Sequence, residues 1–239
     1  MKVAMVTGAG IRVGKAIARK LAAANFHVIC RANSSFGEAS NLVQELKSCG
    51  GSAEAIQADL SDMNSVKSLG EHVKKKYARL SLLVNNAGIY ERSSFEEVTM
   101  AAYEKMQAIN VQAPFFLTQL LLPLLREAKG TVVNITDSSL NRLYSHYSHY
   151  FVSKSGLEIL TKALAVELAP DVRVNGIGPG TVAFPPEFTN SLKESIEAKI
   201  PMKRVGCEDD IANALLYLAN DATFVTGQIL CVDGGSSLA

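Results

Sequence analysis

The chain has 239 residues, of which 48% are hydrophobic and 20% are charged, values typical of a folded globular protein rather than a disordered one. Its 24 basic and 23 acidic residues give a formal charge of +1, so the composition favours neither nucleic acid nor an anionic membrane as a partner. This length suffices for one sizeable core, and no repeat or linker divides the chain. We therefore expect a single domain over residues 1–239.

The cysteines and apolar segments show no pattern of a metal site, an export signal or a membrane anchor. The cysteines are scattered without CxxC spacing or neighbouring histidines, so we expect buried, reduced thiols and no metal at Cys30, Cys49, Cys207 and Cys231. The run from Pro114 to Leu125 is about a dozen residues long, whereas a bilayer span needs ~20. Residues 1–14 lack the regions of a signal peptide, so a cytoplasmic protein without membrane contact is expected.

Short apolar or β-branched runs alternate with longer segments of helical period. The runs predicted as strands are Val3–Thr7, His27–Cys30, Ala53–Gln57, Leu80–Val84, Thr131–Thr136, Val172–Ile177 and Gln228–Val232. The segments predicted as helices are Gly14–Ala24, Val66–Tyr77, Tyr103–Arg126, Gly156–Leu168 and Asp209–Leu218. This alternation predicts an α/β fold, a Rossmann-like doubly wound sheet of seven mostly parallel strands with helices on both faces. Residues 182–201, broken by Pro185 and Pro186, are predicted to be a substrate lid.

The residues directly after the predicted strands are expected to form a binding site. In open α/β sheets, ligands bind beyond the carboxyl ends of the strands. These positions are polar or glycine-rich: Thr7 to Gly10, Arg31, Asp59, Asn85-Asn86, Asp137 and Pro179-Gly180. Six strand ends therefore point to one crevice.

The turn after the first strand predicts a dinucleotide. It contains three glycines that would let a pyrophosphate approach the backbone at a helix N-terminus, Gly8, Gly10 and Gly14. The alternative is a purely structural turn. Arg31 stands at the end of the second strand, where a carboxylate would bind the ribose of NAD. Further donors suited to a 2′-phosphate follow it, and the set predicts NADPH: Asn33, Ser34 and Ser35. The alternative is a solvated surface arginine.

Two other strand ends have both a binding and a structural interpretation. Asp59 is suited to accept a hydrogen bond from adenine or to cap the following helix, a role for which Ser61 and Asp62 compete. Asn86, Ala87 and Gly88 form either a cofactor-contacting loop or an ordinary turn. Neither segment alone decides the function.

Tyr150 and Lys154 are the candidate acid–base pair. They are four residues apart at a predicted helix start, which places them on one helix face. A tyrosine with a pKa of about 10 needs a nearby cation to exchange protons near neutral pH, and Lys154 is expected to lower the Tyr150 pKa in this way. Such a pair also occurs by chance on helix surfaces, so its weight depends on its context.

Taken together, these segments resemble the short-chain dehydrogenase/reductase family over essentially the whole chain. The motifs that carry the resemblance are Thr7-Gly8-x-x-x-Arg12-x-Gly14, Asn85-Asn86-Ala87-Gly88, Asn110, Tyr150-x-x-x-Lys154, Pro179-Gly180 and Asp233-Gly234-Gly235. The resemblance implies hydride transfer with NADP(H), Tyr150 as general acid, and Lys154 as its electrostatic partner and ribose ligand. It also implies that Asn110 holds a proton-relay water and that the protein is a homotetramer. The residues it assigns to the cofactor include Asn86, Ala87, Gly88, Pro179, Gly180 and Thr181.

Two departures from the common family pattern resemble the pteridine reductases, including the dihydromonapterin reductases. Asp137 stands where the family usually has its catalytic serine, and Arg12 replaces the middle glycine of the nucleotide turn. The resemblance implies that Asp137 and Arg12 face the pterin and the cofactor phosphates, and that Tyr90 stacks on the pterin. Gly88, by contrast, is the ordinary family residue where pteridine reductases usually have serine.

Three functions are consistent with these residues. The leading hypothesis is an NADPH-dependent reductase of a dihydropterin or folate-like substrate, with Asp137 supplying or relaying a proton to a ring nitrogen. The second is a carbonyl reductase acting on a 3-oxoacyl thioester, a sugar or another small ketone. The third is a dinucleotide-binding regulatory protein, against which the intact Tyr150, Lys154 and Asn110 argue.

Two further features are open to more than one interpretation. The helix Tyr103–Arg126 is apolar on nearly all sides, which favours burial against a second subunit or deep burial in the monomer. The approach to Tyr150 is crowded with aromatic and histidine residues, Tyr144, His146, Tyr147 and His149. Two histidines without a neighbouring acid do not predict a metal site.

Overall fold

The computed structural model of the protein describes residues 1–184 and 188–239, which contain one seven-stranded sheet. The strands are β1 (Lys2–Thr7), β2 (Phe26–Ala32), β3 (Ser52–Gln57), β4 (Leu82–Asn85), β5 (Thr131–Ile135), β6 (Arg173–Pro179) and β7 (Ile229–Val232). Every neighbouring pair is parallel, in the order β3-β2-β1-β4-β5-β6-β7. The predicted Rossmann-like sheet is confirmed, and each predicted run overlaps one strand.

The described residues form eight α-helices. They are α1 (Arg12–Ala23), α2 (Phe36–Ser48), α3 (Met63–Lys76), α4 (Met100–Gln107), α5 (Ala113–Ala128), α6 (Ser148–Leu168), α7 (Asn190–Lys199) and α8 (Glu208–Asn220). Helix α2 was absent from the sequence prediction, although its buried residues have the i, i+3, i+4, i+7 spacing of an amphipathic helix: Ala39, Leu42, Val43 and Leu46. The predicted competition for the cap of α3 is resolved, because the Asp62 carboxylate accepts a hydrogen bond from the Asn64 N–H.

The helices cover both faces of the sheet, and each face has its own apolar core. On one face, Ile17, Leu42 and Leu215 from α1, α2 and α8 pack against the sheet. On the other face, α3, α5 and α6 contribute a second cluster that includes Leu117 and Leu168. The central strands β1, β4 and β5 are therefore buried on both sides, which explains their continuous apolar sequences.

Helices α4 and α5 are joined by a π-helical turn, Ala108–Gln112, into one continuous helix, Met100–Ala128. This helix has 29 residues, and its most apolar 18-residue window has a mean hydropathy of 1.5. It is longer than the apolar run counted from the sequence and suffices by length and composition to cross a membrane. Leu117, Leu121 and Leu125 are fully buried against the sheet. We therefore interpret it as a core helix.

Two sequence predictions need comment at the level of the fold. Only Cys30 is buried; the other three thiols are free and exposed, so the expectation that all are buried is wrong for Cys49, Cys207 and Cys231. Residues 185–187 of the predicted lid lie outside the described residues. The remainder includes α7, which begins after a Thr189 cap and has no fully buried side chain, and the lid stays a prediction.

Candidate active site

The carboxyl ends of the parallel strands meet at one edge of the sheet, as expected from the sequence. The register places Thr7 of β1 beside Arg31 of β2 and Asn85 of β4 beside Asn134 of β5. The buried Thr7 hydroxyl donates to the Val84 carbonyl and accepts the backbone N–H groups of the two residues after Asn85, at 3.0 Å each. This one side chain fixes the β1 turn to the loop after β4.

The glycine turn after β1 is packed against its own chain too closely for side chains at its three glycines, and its predicted contact with a pyrophosphate stays a prediction. Gly8 has φ of +68°, a conformation that side-chain-bearing residues rarely adopt. A Cβ on Gly10 would lie 2.5 Å from the Ser35 carbonyl oxygen, and a Cβ on Gly14 would overlap the Gly8 carbonyl. The Asn86 side-chain amide donates to the carbonyls of Thr7 at 2.8 Å and Gly8 at 3.2 Å. Asn86 therefore holds the turn in shape, and its predicted contact with a cofactor stays a prediction.

Arg31 is buried rather than solvated, which argues against its alternative interpretation as a surface arginine. Its Nη2 donates to the Ala58 carbonyl, while its Nε is buried without a hydrogen-bond partner. Burial lowers the pKa of Arg31 to about 10, and the nearby Asp59 carboxylate opposes this shift. An unpartnered, buried guanidinium N–H at the end of β2 is the feature expected of a site that receives a 2′-phosphate.

The other residues predicted at this end surround Arg31. The Asp59 carboxylate accepts hydrogen bonds from the Ser61 N–H and hydroxyl, which lower its pKa together with the charge of Arg31. Asn33 and Ser34 are exposed, whereas Ser35, which directly precedes α2, is half-buried. These polar groups line the rim beside Arg31.

Arg12 stands at the first position of α1 with a φ of +50° and an exposed side chain. A positive φ in a residue other than glycine costs about 1 kcal/mol or more. The strained backbone is explained by the family pattern, in which this position is a glycine. Its predicted contacts with substrate and phosphates stay predictions.

The loop after β6 packs against the loop after β7. Gly180 donates its N–H to the Val232 carbonyl at 3.0 Å, and a Cβ at this glycine would lie 2.6 Å from the Asp233 Cα. The Thr181 carbonyl accepts the Gly206 N–H at 2.9 Å. The Pro179-Gly180-Thr181 segment thus forms the β6 side of the crevice.

Tyr150 and Asp137 are in direct contact at the centre of the crevice. The Tyr150 hydroxyl donates to Oδ2 of Asp137, and Oδ1 of the same carboxylate accepts the Ser139 N–H at 2.7 Å. Burial raises the pKa of Tyr150, and the Asp137 charge and hydrogen bond raise it further. The groups of the protein itself therefore raise the pKa of Tyr150, and the sequence-based expectation of a pKa lowered by Lys154 is wrong. The phenol is held in its protonated form.

Lys154 lies beneath Tyr150 and is almost completely buried. Its Nζ donates to the Ile135 carbonyl at 2.8 Å and is 5.9 Å from the centre of the Tyr150 ring. Burial lowers the pKa of Lys154 to about 8, and the Asp137 carboxylate opposes the shift. A Cβ on Gly88 would lie 3.4 Å from this ammonium, so the glycine leaves space above it.

Asn110 lies in the π-helical turn, and its side chain is fully engaged. Its Oδ1 accepts the Ile89 N–H at 2.9 Å, and its Nδ2 donates to the Ile89 carbonyl at 3.1 Å and the Ser153 hydroxyl at 2.9 Å. The side chain therefore joins the loop after β4 to α6. A π-turn within an α-helix is frequent at functional sites, and the predicted relay water stays a prediction.

Tyr90 belongs to an aromatic cluster around the catalytic pair. Its ring stacks on Tyr147 at 4.4 Å with an interplanar angle of 11°, and it meets the Tyr150 ring edge-on at 4.8 Å. Its hydroxyl lies 3.1 Å from that of Tyr144. Tyr90 is 52% exposed, so one ring face is covered by Tyr147 while part of the side chain remains accessible.

Tyr147 and Tyr144 are the residues whose contribution the sequence analysis missed. They were considered only as possible neighbours of a metal, yet their three-residue spacing from each other and from Tyr150 is the signal of a cluster. His146, between them, has φ of +71°, and its carbonyl accepts the Ser93 N–H at 2.9 Å. This strained residue anchors the loop that carries both tyrosines.

No group of three or more histidine, cysteine, aspartate or glutamate side chains suited to a metal ion occurs in residues 1–184 and 188–239. His149 is buried, and its Nδ1 has no hydrogen-bond partner. The titratable side chains that meet at this edge are Tyr150, Lys154 and Asp137.

Comparison with known proteins agrees with this arrangement. Residues 8–237 match a family model described as enoyl-(acyl carrier protein) reductase. The chain is 35% identical to an uncharacterized oxidoreductase of Methylorubrum extorquens, over 98% of this chain and 97% of that protein. It is 31% identical to the 3-oxoacyl-[acyl-carrier-protein] reductase of Thermotoga maritima, with the same coverage of both chains.

A solved structure shows the same fold. The blue fluorescent protein from a metagenomic library, crystallised in complex with NADPH, is 34% identical and superimposes with a TM-score of 0.92 over 98% of this chain and 97% of that one. These matches are coarser than the pteridine reductase subgroup, which stays a prediction. They cover nearly the whole chain and include the catalytic edge. The chain therefore belongs to the short-chain dehydrogenase/reductase family.

Proposed function

We propose that the protein is an NADPH-dependent reductase of a pterin-type substrate, a dihydropterin or a folate-like compound. The observation that carries the proposal is the Asp137 carboxylate, which accepts the hydrogen bond of the Tyr150 hydroxyl where the family usually has a serine. A carboxylate at this point provides both a charge that retains the phenol proton and an acceptor for an amino-pyrimidine edge.

The cofactor part of the proposal rests on the cradle and on Arg31. The turn at Gly8, Gly10 and Gly14 leaves no room for side chains, and the buried Nε of Arg31 has no partner. NADP(H) fits these residues, and the blue fluorescent protein with the same fold was crystallised with NADPH. When bound, the dinucleotide supplies or accepts hydride at its nicotinamide. Arg31 would receive the 2′-phosphate, and Lys154 the ribose hydroxyls.

Proton delivery is the task of Tyr150. Because burial and Asp137 raise its pKa, its hydroxyl keeps a proton to donate over the neutral range. Donation leaves a phenolate beside the Asp137 carboxylate, where two negative charges repel each other, so Tyr150 must take up a proton again before the next turnover. The same phenolate is the base in the dehydrogenase direction, so the charges of the site act on both directions alike.

Substrate recognition is assigned to Asp137 and the aromatic cluster. A carboxylate offers about four acceptor positions, and Asp137 uses two of them, for Tyr150 and Ser139. The remaining positions suit the amino and ring N–H groups of a pterin. The accessible part of Tyr90 is suited to stack on a planar ring system.

Carbonyl reduction is the second candidate, and the comparisons favour it. The Thermotoga maritima relative is named as a 3-oxoacyl-[acyl-carrier-protein] reductase, a ketone-reducing enzyme. Position 88 also agrees with carbonyl reduction, because it is the glycine usual in the family and not the serine usual in pteridine reductases. The two candidates share Tyr150 and Lys154 and differ in what Asp137 contacts.

One experiment separates the candidates. NADPH consumption is measured optically with dihydrobiopterin, dihydrofolate and acetoacetyl thioester under identical conditions. The pterin proposal predicts turnover of a pterin or folate with kcat/KM at least tenfold above that of the thioester. Turnover of the thioester alone would overturn it. Absence of turnover with all three, together with NADPH binding, would support a dinucleotide-binding regulatory protein instead.

We also propose that the protein is a cytoplasmic homotetramer. Phe115 and Phe116 on α5 are 41% and 42% exposed, and Ile159 and Val166 on α6 are 64% and 83% exposed. Exposed apolar surface on two long helices is typical of contacts between subunits. Light scattering on the eluting protein should give four times the mass of the chain, and Phe116→Glu should lower that mass. A monomeric wild-type protein would contradict the proposal.

A further inference from the structure

A cavity of about 330 Å³ lies at the edge of the sheet opposite to the catalytic crevice. It is formed where β1, β2, β5 and β6 begin, so it is lined by residues such as Lys2, Phe26, Thr131 and Arg173. Because the strands are parallel, the catalytic residues and this cavity lie at opposite ends of the sheet. The cavity is therefore a separate site, large enough for a small metabolite.

The lining of the cavity is strongly basic. Four cationic side chains, Lys2, Arg79, Lys129 and Arg173, border it together with one carboxylate, Glu127. The whole chain has a formal charge of only +1, so this local excess of positive charge is not a property of the composition. Within the described part of the chain, none of the four cations lies within 4.0 Å of a carboxylate oxygen.

The hydrogen bonds of these cations leave most of their donors free. Lys2 donates to Asn220 Oδ1 at 3.0 Å, and Arg173 makes only a long hydrogen bond of 3.4 Å to the Val225 carbonyl. Arg173 is half-buried, and burial lowers its pKa. A guanidinium that is partly desolvated and lacks a counterion is stabilised when an anion binds beside it.

Lys129 borders the cavity from the end of α5. It has a φ of +46°, in the left-handed region where helices commonly end on glycine. Glycine at this position would remove the positive charge and relieve the backbone strain at the same time.

We propose that this basic cavity binds a small anion with more than one negative charge, of the phosphate or diphosphate class. Guanidinium and ammonium groups are the donors that such anions prefer, and two of each line this cavity. The single Glu127 at the rim disfavours a large polyanion lying across the opening. The site is independent of the proposed reductase activity.

The test is calorimetric titration of inorganic pyrophosphate into the protein saturated with NADP⁺. Saturation with the dinucleotide prevents pyrophosphate from binding to the glycine turn, and sodium chloride in both solutions keeps the ionic strength equal. Wild-type protein should bind one pyrophosphate per chain with a Kd below 1 mM. Absence of saturable binding would overturn the proposal.

Two variants and a matched control locate the binding. Lys129→Gly should weaken binding at least fivefold while keeping or raising the Tm, because glycine relieves the positive φ. Arg79→Ser, at an exposed position, should also weaken it at least fivefold. Lys67→Ser removes an exposed lysine that does not line the cavity and should leave the Kd unchanged. An equal weakening of pyrophosphate binding in all three variants would show non-specific electrostatic attraction and overturn the proposal. An unchanged Kd in both Lys129→Gly and Arg79→Ser would also overturn it.

Discussion

The Tyr150 hydroxyl donates its hydrogen bond to the carboxylate of Asp137, 13 residues earlier in the chain, and not to a serine. This contact joins the start of α6 to the end of β5. It makes the acid of the site a phenol whose proton is retained by a carboxylate. The consequences can be measured in pH dependence, stability, cofactor preference and substrate affinity.

The pH profile of reduction should respond to the Asp137 charge. Removing the charge with Asp137→Asn lowers the pKa of Tyr150 and also removes the contribution that raises the pKa of Lys154. Both groups then lose their protons at lower pH, so the alkaline decline of kcat/KM should begin at lower pH than in the wild type. The value at pH 7 should fall about 100-fold for a pterin. Asp171→Asn, at an exposed acid outside the site, is the control; an alkaline limb at the wild-type pH in Asp137→Asn would contradict this role.

Lys154 should be essential for activity but unfavourable for stability. Its pKa is lowered from 10.5 to about 8, so the unfolded chain binds more protons than the folded one between these values, and stability from this group rises with pH across that window. At pH 7 the buried charge is a cost, and Lys154→Met should raise the Tm by about 2–4 °C, equivalent to about 1 kcal/mol. Activity should fall at least 100-fold. The measurement is thermal unfolding at pH 7 and at pH 10, and the difference in Tm between Lys154→Met and the wild type should be smaller at pH 10. A variant with a lower Tm than the wild type at pH 7 would refute the prediction.

Arg31 should decide the choice of cofactor. Arg31→Ser removes the guanidinium that faces the predicted 2′-phosphate and should raise the KM for NADPH about tenfold while leaving the KM for NADH nearly unchanged. Arg31→Asp should shift the preference further towards NADH. Arg92→Ser, which removes an exposed arginine from a loop, serves as the control. An unchanged ratio of the two kcat/KM values would mean that another group binds the phosphate.

Tyr147 should act on substrate affinity through Tyr90. Loss of the stacked ring in Tyr147→Ala removes an aromatic contact of about 1 kcal/mol, so the KM for a planar substrate should rise about fivefold. Tyr147→Phe keeps the stack and should behave like the wild type, and the KM for NADPH should not change in either variant. Phe224→Ala, at a fully exposed aromatic residue, is the control. Equal kinetics for Tyr147→Ala and the wild type would remove Tyr147 from substrate binding.

The fold was largely predictable because its signals are local. Each strand is a short apolar run, and each of the central strands is covered on both faces, so the hydrophobic pattern alone identifies them. Helix α2 shows the limit, since its amphipathic pattern directly follows the polar residues interpreted as phosphate donors, and this stretch of the chain was interpreted only in terms of binding. The continuous helix over α4 and α5 was predicted as Tyr103–Arg126, but its π-helical turn was not, because such a turn has no composition of its own.

For the candidate site, too, the sequence identified the residues, while their contacts and pKa shifts became visible only in the structure. Motif spacing identified Tyr150, Lys154 and Asp137, because parallel strands bring their carboxyl ends to one edge whatever the details of packing. The direction of the Tyr150 pKa shift was not predictable, because it depends on burial and on which atom the hydroxyl reaches. Asn110 was named from the family pattern, but its engagement with Ile89 and Ser153 appears only when the helix and loop are placed together.

The sequence by itself determined the seven strands, since these follow from hydrophobic period. Through motif spacing and the family resemblance, it also identified the candidate dinucleotide turn and the candidate acid–base residues. Only the tertiary structure decided that Lys154 is buried with a pKa of about 8, that Tyr147 covers Tyr90, and that four cations border a cavity at the opposite edge. The physical reason is that desolvation, stacking and the clustering of charge depend on distances between residues remote in sequence. The sequence pattern specifies which residues can lie at an edge of the sheet. Tertiary packing determines the electrostatic environment of each residue at that edge.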